Sequence, residues 1–200
     1  MTQYKTMNFS ENYFNEVVNT TKKISRTKID KMLDLLSKCR NNKGRIFFVG
    51  VGGSAGNCSH AVNDFRKLCN IESYAVCDNV SELTARTNDE GWDTVFEQYL
   101  ITSKFNKKDL LFVFSVGGGN LKKNVSVNLI KAIKVAKKRS GKVLGIVGRK
   151  DGYTYKHGNV VIDVPVAETK LTTPIAEAFQ AVIWHLLISH PKLAKNKTKW

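Results

Sequence analysis

The chain has little of what marks secreted, membrane or multidomain proteins. Its 200 residues include only four Cys and three Pro, and only 17 Asp and Glu stand against 32 Lys and Arg. The Cys residues form no close pair and no CxxC zinc pattern, so we expect buried free thiols in a reducing cytoplasm. No apolar run approaches a membrane span, and the polar start MTQYKTMNFSEN predicts no signal peptide. One domain covering residues 1–200 is expected.

The positive charge is concentrated in one quarter of the sequence. The formal net charge is +15, and residues 101–150 contain 13 Lys or Arg with Asp109 as their only acid. Such a field attracts anionic ligands such as sugar phosphates, nucleotides or nucleic acid. A solvated helix face is the alternative explanation, because these lysines fall between apolar positions. No nucleic-acid motif accompanies them, which weighs against nucleic acid as a partner.

The hydrophobic pattern predicts an α/β fold. Apolar positions at helical spacing fill an N-terminal helical segment at 11–40, and a strand–turn–helix alternation follows through a sheet core at 45–165. The predicted strands are 45–50, 71–77, 110–115, 143–147 and 160–164. Thr173 and Pro174 are expected to cap and begin a C-terminal helix at 174–190, before a basic tail at 191–200. These elements predict a three-layer sandwich, with a parallel five-stranded sheet between helices and extra N-terminal helices.

Two glycine-rich loops follow predicted strands and open predicted helices. The first is GVGGS, with Gly52, Gly53 and Ser54, and the second is SVGGGN. In the second loop, the residues that are candidates for binding a phosphate are Ser115, Gly117, Gly118, Gly119 and Asn120. Helix N-termini offer free N–H groups to anions, so the loops predict two walls of a phosphate-binding cleft at the carboxyl ends of the strands. A tight turn that needs small residues is the alternative, since neither loop matches a dinucleotide or P-loop fingerprint.

Two histidine–carboxylate pairs occur at helical spacing. His60 and Asp64 lie about 40° apart around one predicted helix, and Glu177 and His185 about 80° apart around the last one. Two His and two carboxylates suit a divalent metal such as zinc. Spacing alone leaves the alternatives open that His185 packs in the core and that Asp64 is a solvated helix residue.

Five segments resemble the sugar isomerase (SIS) domain family, and within it the phosphoheptose isomerases. They are GVGGSAGNCSH at 50–60, LTARTNDEGWDTVFEQ at 83–98, FSVGGGN at 114–120, VLGIVGR at 143–149 and the closing helix. The resemblance implies conversion of sedoheptulose 7-phosphate into D-glycero-D-manno-heptose 7-phosphate. It also implies a zinc ion and a homotetramer with active sites shared between subunits.

The resemblance also implies roles for individual residues. His60, Asp64, Glu177 and His185 fall on the zinc site. Asp64 and His185 fall on the acid/base pair, and Glu177 is a reserve base. Asn88, Asp89 and Thr173 fall on positions that line the substrate pocket.

Several positions depart from the family pattern. Val51 replaces an Asn, Asp64 a Glu and Glu177 a Gln, and the phosphate loop has lost all its hydroxyls except that of Ser115. Phosphate contact then depends on backbone N–H groups, Ser54, and Lys122 or Lys123.

Two other functions remain open at this point. A non-catalytic SIS module that binds sugar phosphates or a protein partner is the first, although such a module has no need for His60, Asp64 and His185. An SIS enzyme acting on an amino-sugar phosphate is the second, and the NDEGW segment disfavours it.

Overall fold

A five-stranded parallel sheet forms the centre of the molecule. The computed structural model describes residues 8–197, and it confirms the five predicted strands as β1 (Ile46–Val49), β2 (Ser73–Ala75), β3 (Leu110–Ser115), β4 (Lys142–Val147) and β5 (Val160–Asp163). Their order across the sheet is β2-β1-β3-β4-β5, with every pairing parallel. The carboxyl ends of β1 and β3, each followed by a glycine-rich loop, are therefore neighbours.

Both faces of the sheet are covered, which explains why the central strands β1 and β3 are buried along their whole length. In β1, Phe48 points into one core cluster, whereas Phe47 and Val49 point into another. The helices are α1 (Phe9–Lys23), α2 (Arg26–Asn41), α3 (Gly53–Cys69), α4 (Val80–Glu90), α5 (Val95–Thr102), α6 (Val127–Lys138), α7 (Tyr153–His157) and α8 (Thr172–Ser189). Side chains of α2, α3 and α8 fill the first cluster, and those of α5 and α6 fill the second. The predicted three-layer α/β sandwich is confirmed.

The structure defines the helix boundaries more closely than the sequence does. The N-terminal segment is two helices, because Ser25 caps α2 by accepting a hydrogen bond from Lys28 N. Helical structure after β2 is interrupted at Gly91, whose φ of 85° ends α4. The short helix α7 has no counterpart in the prediction, since five residues are too few to show a hydrophobic period.

The predicted start of the last helix is wrong by two residues. Thr173 is not the N-cap, because α8 starts at Thr172 after a 3₁₀ turn at Thr169–Leu171, and Leu171 at the N-cap makes no side-chain hydrogen bond. The 3₁₀ turn extends the helical path backwards, so Pro174 lies inside the first turn. Pro tolerates this position because the first N–H groups of a helix have no partner in the helix.

The segment Thr169–Ser189 is long and apolar enough, by length and composition, to cross a membrane. The sequence reading did not anticipate this, because Glu177, Gln180 and His185 interrupt its apolar runs. Buried core helices pass the same test, and Ile183, Trp184 and Leu187 belong to the core cluster beside α3. We therefore assign α8 as a core helix of the fold.

The described part of the predicted basic tail is packed against the domain. Arg40 donates hydrogen bonds to the carbonyl oxygens of Leu193 and Lys192, and Lys195 N donates to Leu68 O. Residues 198–200 of that tail lie outside the described residues.

Two glycines near the start of α3 allow a matched test of the tight turn between β1 and this helix. A Cβ on Gly50 would lie 2.7 Å from the backbone carbonyl of Ser54, whereas a Cβ on Gly56 would meet nothing within 4 Å. We expect Gly50→Ala to lower the free energy of unfolding by about 1–3 kcal/mol through overpacking. Gly56→Ala should raise it by about 0.5–1 kcal/mol, because alanine favours a helix interior. Urea unfolding measures both changes, and equal midpoints for the two variants would contradict this account of the turn.

Candidate functional site

Two imidazoles and a carboxylate converge where α3 and α8 pack together. His60 and Asp64 come from α3 and His185 from α8, and one ligand atom of each lies within 4.8 Å of the others. The Nε2 atoms of His60 and His185 lie 3.6 Å and 3.5 Å from Asp64 Oδ2. Both imidazoles are about half exposed, whereas the carboxylate is almost buried. The cluster therefore opens to solvent on its histidine side.

The hydrogen bonds of His185 decide which of its nitrogens faces the cluster. Its Nδ1 lies 2.9 Å from the carbonyl oxygen of Ala181, which can only accept. Nδ1 therefore carries the proton of the neutral ring, and Nε2 presents a lone pair towards Asp64. This is how the second nitrogen of a metal-binding imidazole is usually fixed.

The donor set fits a zinc ion. Two imidazole nitrogens and a carboxylate oxygen that face one another are held together by a cation or by protons between them. A tetrahedral zinc with N and O ligands at about 2.0–2.1 Å separates its ligand atoms by about 3.4 Å. The two distances from Asp64 to the histidines are close to that value, and the exposed side leaves a position open for a further ligand.

Trp184 holds the carboxylate of this cluster from behind. Its indole Nε1 donates a hydrogen bond of 3.0 Å to Asp64 Oδ2, and Asn63 Nδ2 donates to Oδ1. The indole is buried and stacks on Phe114 with ring centroids 5.9 Å apart. Asp64 is thus tied to the hydrophobic core, and the alternative that it is a solvated helix residue is wrong.

Glu177 lies outside this cluster. Its carboxylate stands over the first turn of α3, so close that a Cβ on Gly53 would lie 2.6 Å from Oε2. Ser54 Oγ donates to Oε1 at 3.3 Å and accepts a hydrogen bond from Gln180 Nε2 at 3.0 Å. The structure therefore brings together three of the four predicted metal ligands, and it places the fourth on the positive end of a helix dipole.

This placement also changes the expected use of the first glycine loop. Ser54 is 2% exposed and its hydroxyl is engaged by Glu177 and Gln180. A phosphate at the start of α3 would face the Glu177 carboxylate, so the first loop is a poor phosphate site. Gly52 has a φ of 64° and serves the turn into the helix.

The second glycine loop is held in shape by its own hydrogen bonds. Ser115 Oγ accepts from Gly118 N, and Thr154 donates to Gly118 O through both its backbone N–H and its hydroxyl. Gly118 and Gly119 have φ values of 72° and 83°, which require glycine. Within residues 8–197, no hydrogen bond from the backbone N–H groups of Gly117 and Gly119 is found, so these groups are free to bind an anion.

Basic side chains surround this second loop. A cavity of about 90 Å³ lies against Gly117, Gly119, Asn120, Lys123 and Arg149, with Asp151 as its one acidic neighbour. A wider cavity of about 410 Å³ adjoins it, where Lys122 and Lys156 join the lining. The loop thus combines free N–H groups with cationic side chains, and it is the favourable place for a phosphate.

Other predicted pocket residues are not linked to the cluster. Asn88 Nδ2 donates to Asp89 Oδ1, and both side chains are exposed at the end of α4. Thr173 is exposed on the first turn of α8. Over the described part of the chain, no hydrogen bond joins these three residues to His60, Asp64 or His185. Val51, within the first loop, is 37% exposed.

The cysteines nearest the first loop are poor candidates for chemistry. Burial, with a smaller contribution from Asp78, raises the pKa of Cys77 to about 11, and its thiol donates to Gly50 O. Burial raises the pKa of Cys58 well above its usual range. All four cysteines are free, and three of them are buried as predicted, whereas Cys77 is half-buried. A protonated thiol is a weak nucleophile and a weak ligand.

Three residues of the site were missed by the sequence reading. They are Trp184, Gln180 and Arg149, and no pattern in a single sequence marks Trp184 or Arg149. One signal was available for Gln180, because a polar residue on the apolar face of a helix usually has a buried partner.

Comparisons with known proteins agree on one family. The model of the SIS domain family matches residues 12–148. The lincomycin biosynthesis protein LmbN of Streptomyces lincolnensis is 31% identical over 150 residues, which are 72% of this chain and 54% of that protein. The chain thus matches about half the length of that relative.

Two further relatives are phosphoheptose isomerases matched over most of their length. That of Syntrophotalea carbinolica is 26% identical over 186 residues, 88% of either chain. The structure of phosphoheptose isomerase from Neisseria gonorrhoeae has a TM-score of 0.75 and 26% identity, covering 88% of this chain and 94% of that one.

Proposed function

Because this chain belongs to the SIS domain family, we propose that it is a sugar-phosphate isomerase of the phosphoheptose isomerase type. The observation that carries the proposal is the convergence of His60, Asp64 and His185 between α3 and α8, in a chain whose second glycine loop suits a phosphate. The substrate proposed is sedoheptulose 7-phosphate, and the product is D-glycero-D-manno-heptose 7-phosphate. Residues 1–200 are taken as one SIS unit that acts in the cytoplasm, which four free thiols support.

The proposal assigns the metal to His60, Asp64 and His185. A divalent ion such as zinc, when bound there, would polarise the carbonyl oxygen of the sugar and stabilise negative charge on it. Asp64 supplies the anionic oxygen, and the two histidines supply neutral nitrogens. Glu177 contacts Gly53 and Ser54 instead, so its assignment as a ligand is less favoured than its assignment as a base.

Isomerisation also needs proton transfer between two neighbouring carbons through an enediol. His185 offers only Nε2, because Ala181 O holds its Nδ1. That nitrogen can bind a cation or accept a proton, but not both at once. The Glu177 carboxylate is half-buried and lies outside the metal cluster, so it can carry the proton. Asp64 and His185 then act mainly as ligands, which differs from the family-based expectation.

The phosphate is assigned to the second glycine loop. Gly117 and Gly119, whose backbone N–H groups have no hydrogen-bond partner within residues 8–197, line the cavity together with Lys123 and Arg149. Guanidinium and ammonium groups replace the hydroxyls that the family has at this loop. Asn120 caps the start of the loop that carries Lys123, since its Oδ1 accepts from Lys123 N.

Removing the cations of this loop should weaken substrate binding. We expect Lys123→Met and Arg149→Met each to raise KM for a sugar phosphate about 10-fold with a small change in kcat, as loss of uniform binding does. Steady-state kinetics at low and high salt measure this, and Lys134→Met, at an exposed position of α6, is the matched control. An unchanged KM in both loop variants would mean that the substrate phosphate does not bind in this cavity.

The proposal includes a homotetramer with shared active sites. Phe14 and Val18 lie one turn apart on α1 and are 67% and 49% exposed, and Val182 and Leu186 are exposed on α8. In addition, no side chain of α4 is fully buried, although Leu83 packs against the second core cluster. Apolar faces of this kind are usually covered by a partner.

Sedimentation should therefore show four chains of 22.4 kDa each. We expect Phe14→Asp with Val18→Asp to dissociate the assembly into smaller species, because a buried charge opposes association. Asn19→Asp, on another side of α1, adds a negative charge as a control and should leave the assembly intact. A wild-type monomer at micromolar concentration would contradict the proposal.

A non-catalytic sugar-phosphate-binding module is the second candidate, favoured by the loss of hydroxyls from the phosphate loop. Zinc content of the purified protein and turnover of sedoheptulose 7-phosphate separate the two. The isomerase proposal predicts bound zinc and an aldose product. Saturable binding of the sugar phosphate without product would favour the module.

A further inference from the structure

Trp184 is a buried residue of the site to which the reaction assigns no role. It is 1% exposed and precedes His185 on α8, yet its polar atom is aimed at Asp64 on α3. We propose that Trp184 is a positioning residue that fixes the Asp64 carboxylate for cation binding through its indole N–H. The proposal rests on the metal site of the proposed function.

The indole N–H contacts the oxygen on which the whole cluster depends. Asp64 Oδ2 lies 3.0 Å from Trp184 Nε1, 3.6 Å from His60 Nε2 and 3.5 Å from His185 Nε2. A carboxylate oxygen has two lone-pair directions, and the indole group can only donate. With one direction taken by Trp184, the other is left for a cation held by the histidines.

The indole ring also sets the positions of both imidazoles. Its centroid lies 5.3 Å from that of His60 with an interplanar angle of 66°, and 4.8 Å from that of His185 at 37°. On its far side the ring stacks on Phe114, which is fully buried and packs against Phe48 and Phe112. The Trp184 side chain thus connects all three ligand residues to the packed core of the sheet.

A short carboxylate makes this support necessary. Aspartate reaches one methylene less far than glutamate, so its Oδ2 atom must be held at one place to face both histidines. The second oxygen is fixed by Asn63 Nδ2 at 3.1 Å. Partners of this kind, outside the ligands themselves, typically change metal affinity 10- to 100-fold when removed.

The test is the zinc dissociation constant, measured by chelator competition without substrate. Trp184→Phe keeps a ring on Phe114 but removes the donor, and we expect it to weaken zinc binding about 10- to 100-fold. Trp92→Phe makes the same chemical change at an exposed tryptophan outside the site and should leave the constant within twofold. Thermal unfolding of each variant checks that the fold is retained.

A double variant separates positioning from packing. The longer side chain in Asp64→Glu can reach the histidines without the indole donor, so adding Trp184→Phe to Asp64→Glu should change zinc affinity less than threefold. An equal loss in both backgrounds would mean that the ring acts by packing alone, and it would overturn the inference. A change of less than twofold in Trp184→Phe alone would overturn it too.

A readout without metal keeps the inference distinct from the proposed function. In protein with ¹⁵N-labelled tryptophan, the indole N–H resonance that Trp184→Phe removes should shift when Asp64→Leu takes away its acceptor. If the wild type binds no zinc, the metal site of the proposed function fails while this resonance still reports the contact. A resonance that Asp64→Leu leaves in place would refute the positioning role directly.

Discussion

Replacing Asp64 by asparagine is expected to remove both the metal and the activity. The side chain keeps its shape and still faces the Trp184 N–H, but it loses the negative charge that lies 3.5–3.6 Å from two imidazole nitrogens. A neutral amide is a weak zinc ligand, since zinc sites draw on thiolate, imidazole and carboxylate. We expect kcat to fall about 10²- to 10⁴-fold, as loss of one acid–base or electrostatic group does.

The measurement is zinc content by elemental analysis together with kcat on sedoheptulose 7-phosphate. Asp34→Asn is the matched control, because Asp34 is an exposed residue of α2 whose carboxylate pairs with Lys192 at the surface. It should keep full zinc occupancy and full turnover. Full activity in Asp64→Asn would show that the cluster of His60, Asp64 and His185 is not the catalytic centre.

Replacing Glu177 by glutamine is expected to separate proton transfer from metal binding. The carboxylate stands over the first turn of α3 and outside the metal cluster, so zinc content should stay at the wild-type level. If Glu177 carries the proton, kcat should fall about 10²- to 10⁴-fold with little change in KM. The amide can still accept a hydrogen bond from Ser54, so the fold should be unaffected.

The contrast between the two carboxylates decides their roles. Zinc retained with lost turnover in Glu177→Gln, and both lost in Asp64→Asn, is the expected pair of results. Wild-type turnover in Glu177→Gln would mean that Asp64 and His185 transfer the proton, as the family resemblance implies. Glu168→Gln, on an exposed residue at the 3₁₀ turn before α8, removes a charge elsewhere and serves as the control.

Much of the fold could be predicted because its signals are local. Each strand is a short apolar run beside a turn, and both faces of the sheet are buried, so no ambiguous alternation arises. The predicted helix boundaries were wrong where the chain departs from regular helical geometry. Gly91 splits one helix, and the 3₁₀ turn moves the start of α8 back to Thr172.

The site was predictable only in part, because its residues meet through tertiary packing. The i, i+4 spacing of His60 and Asp64 places them on one face of a helix, and the resemblance adds His185. Nothing local shows that Glu177 bends towards Gly53, or that Trp184 turns its N–H onto Asp64. Those contacts depend on how α8 lies across α3, which one sequence does not encode in any short motif.

Deuterium incorporation tests the central claim, that the chain isomerises a ketose phosphate by proton transfer. Sedoheptulose 7-phosphate is incubated in D₂O with the wild type, with and without added zinc, and followed by NMR. The account predicts new aldose signals, deuterium at carbon 2 of the product, and neither signal with Asp64→Asn. Line broadening that shows bound ketose, with no aldose and no deuterium after prolonged incubation with zinc, would contradict it.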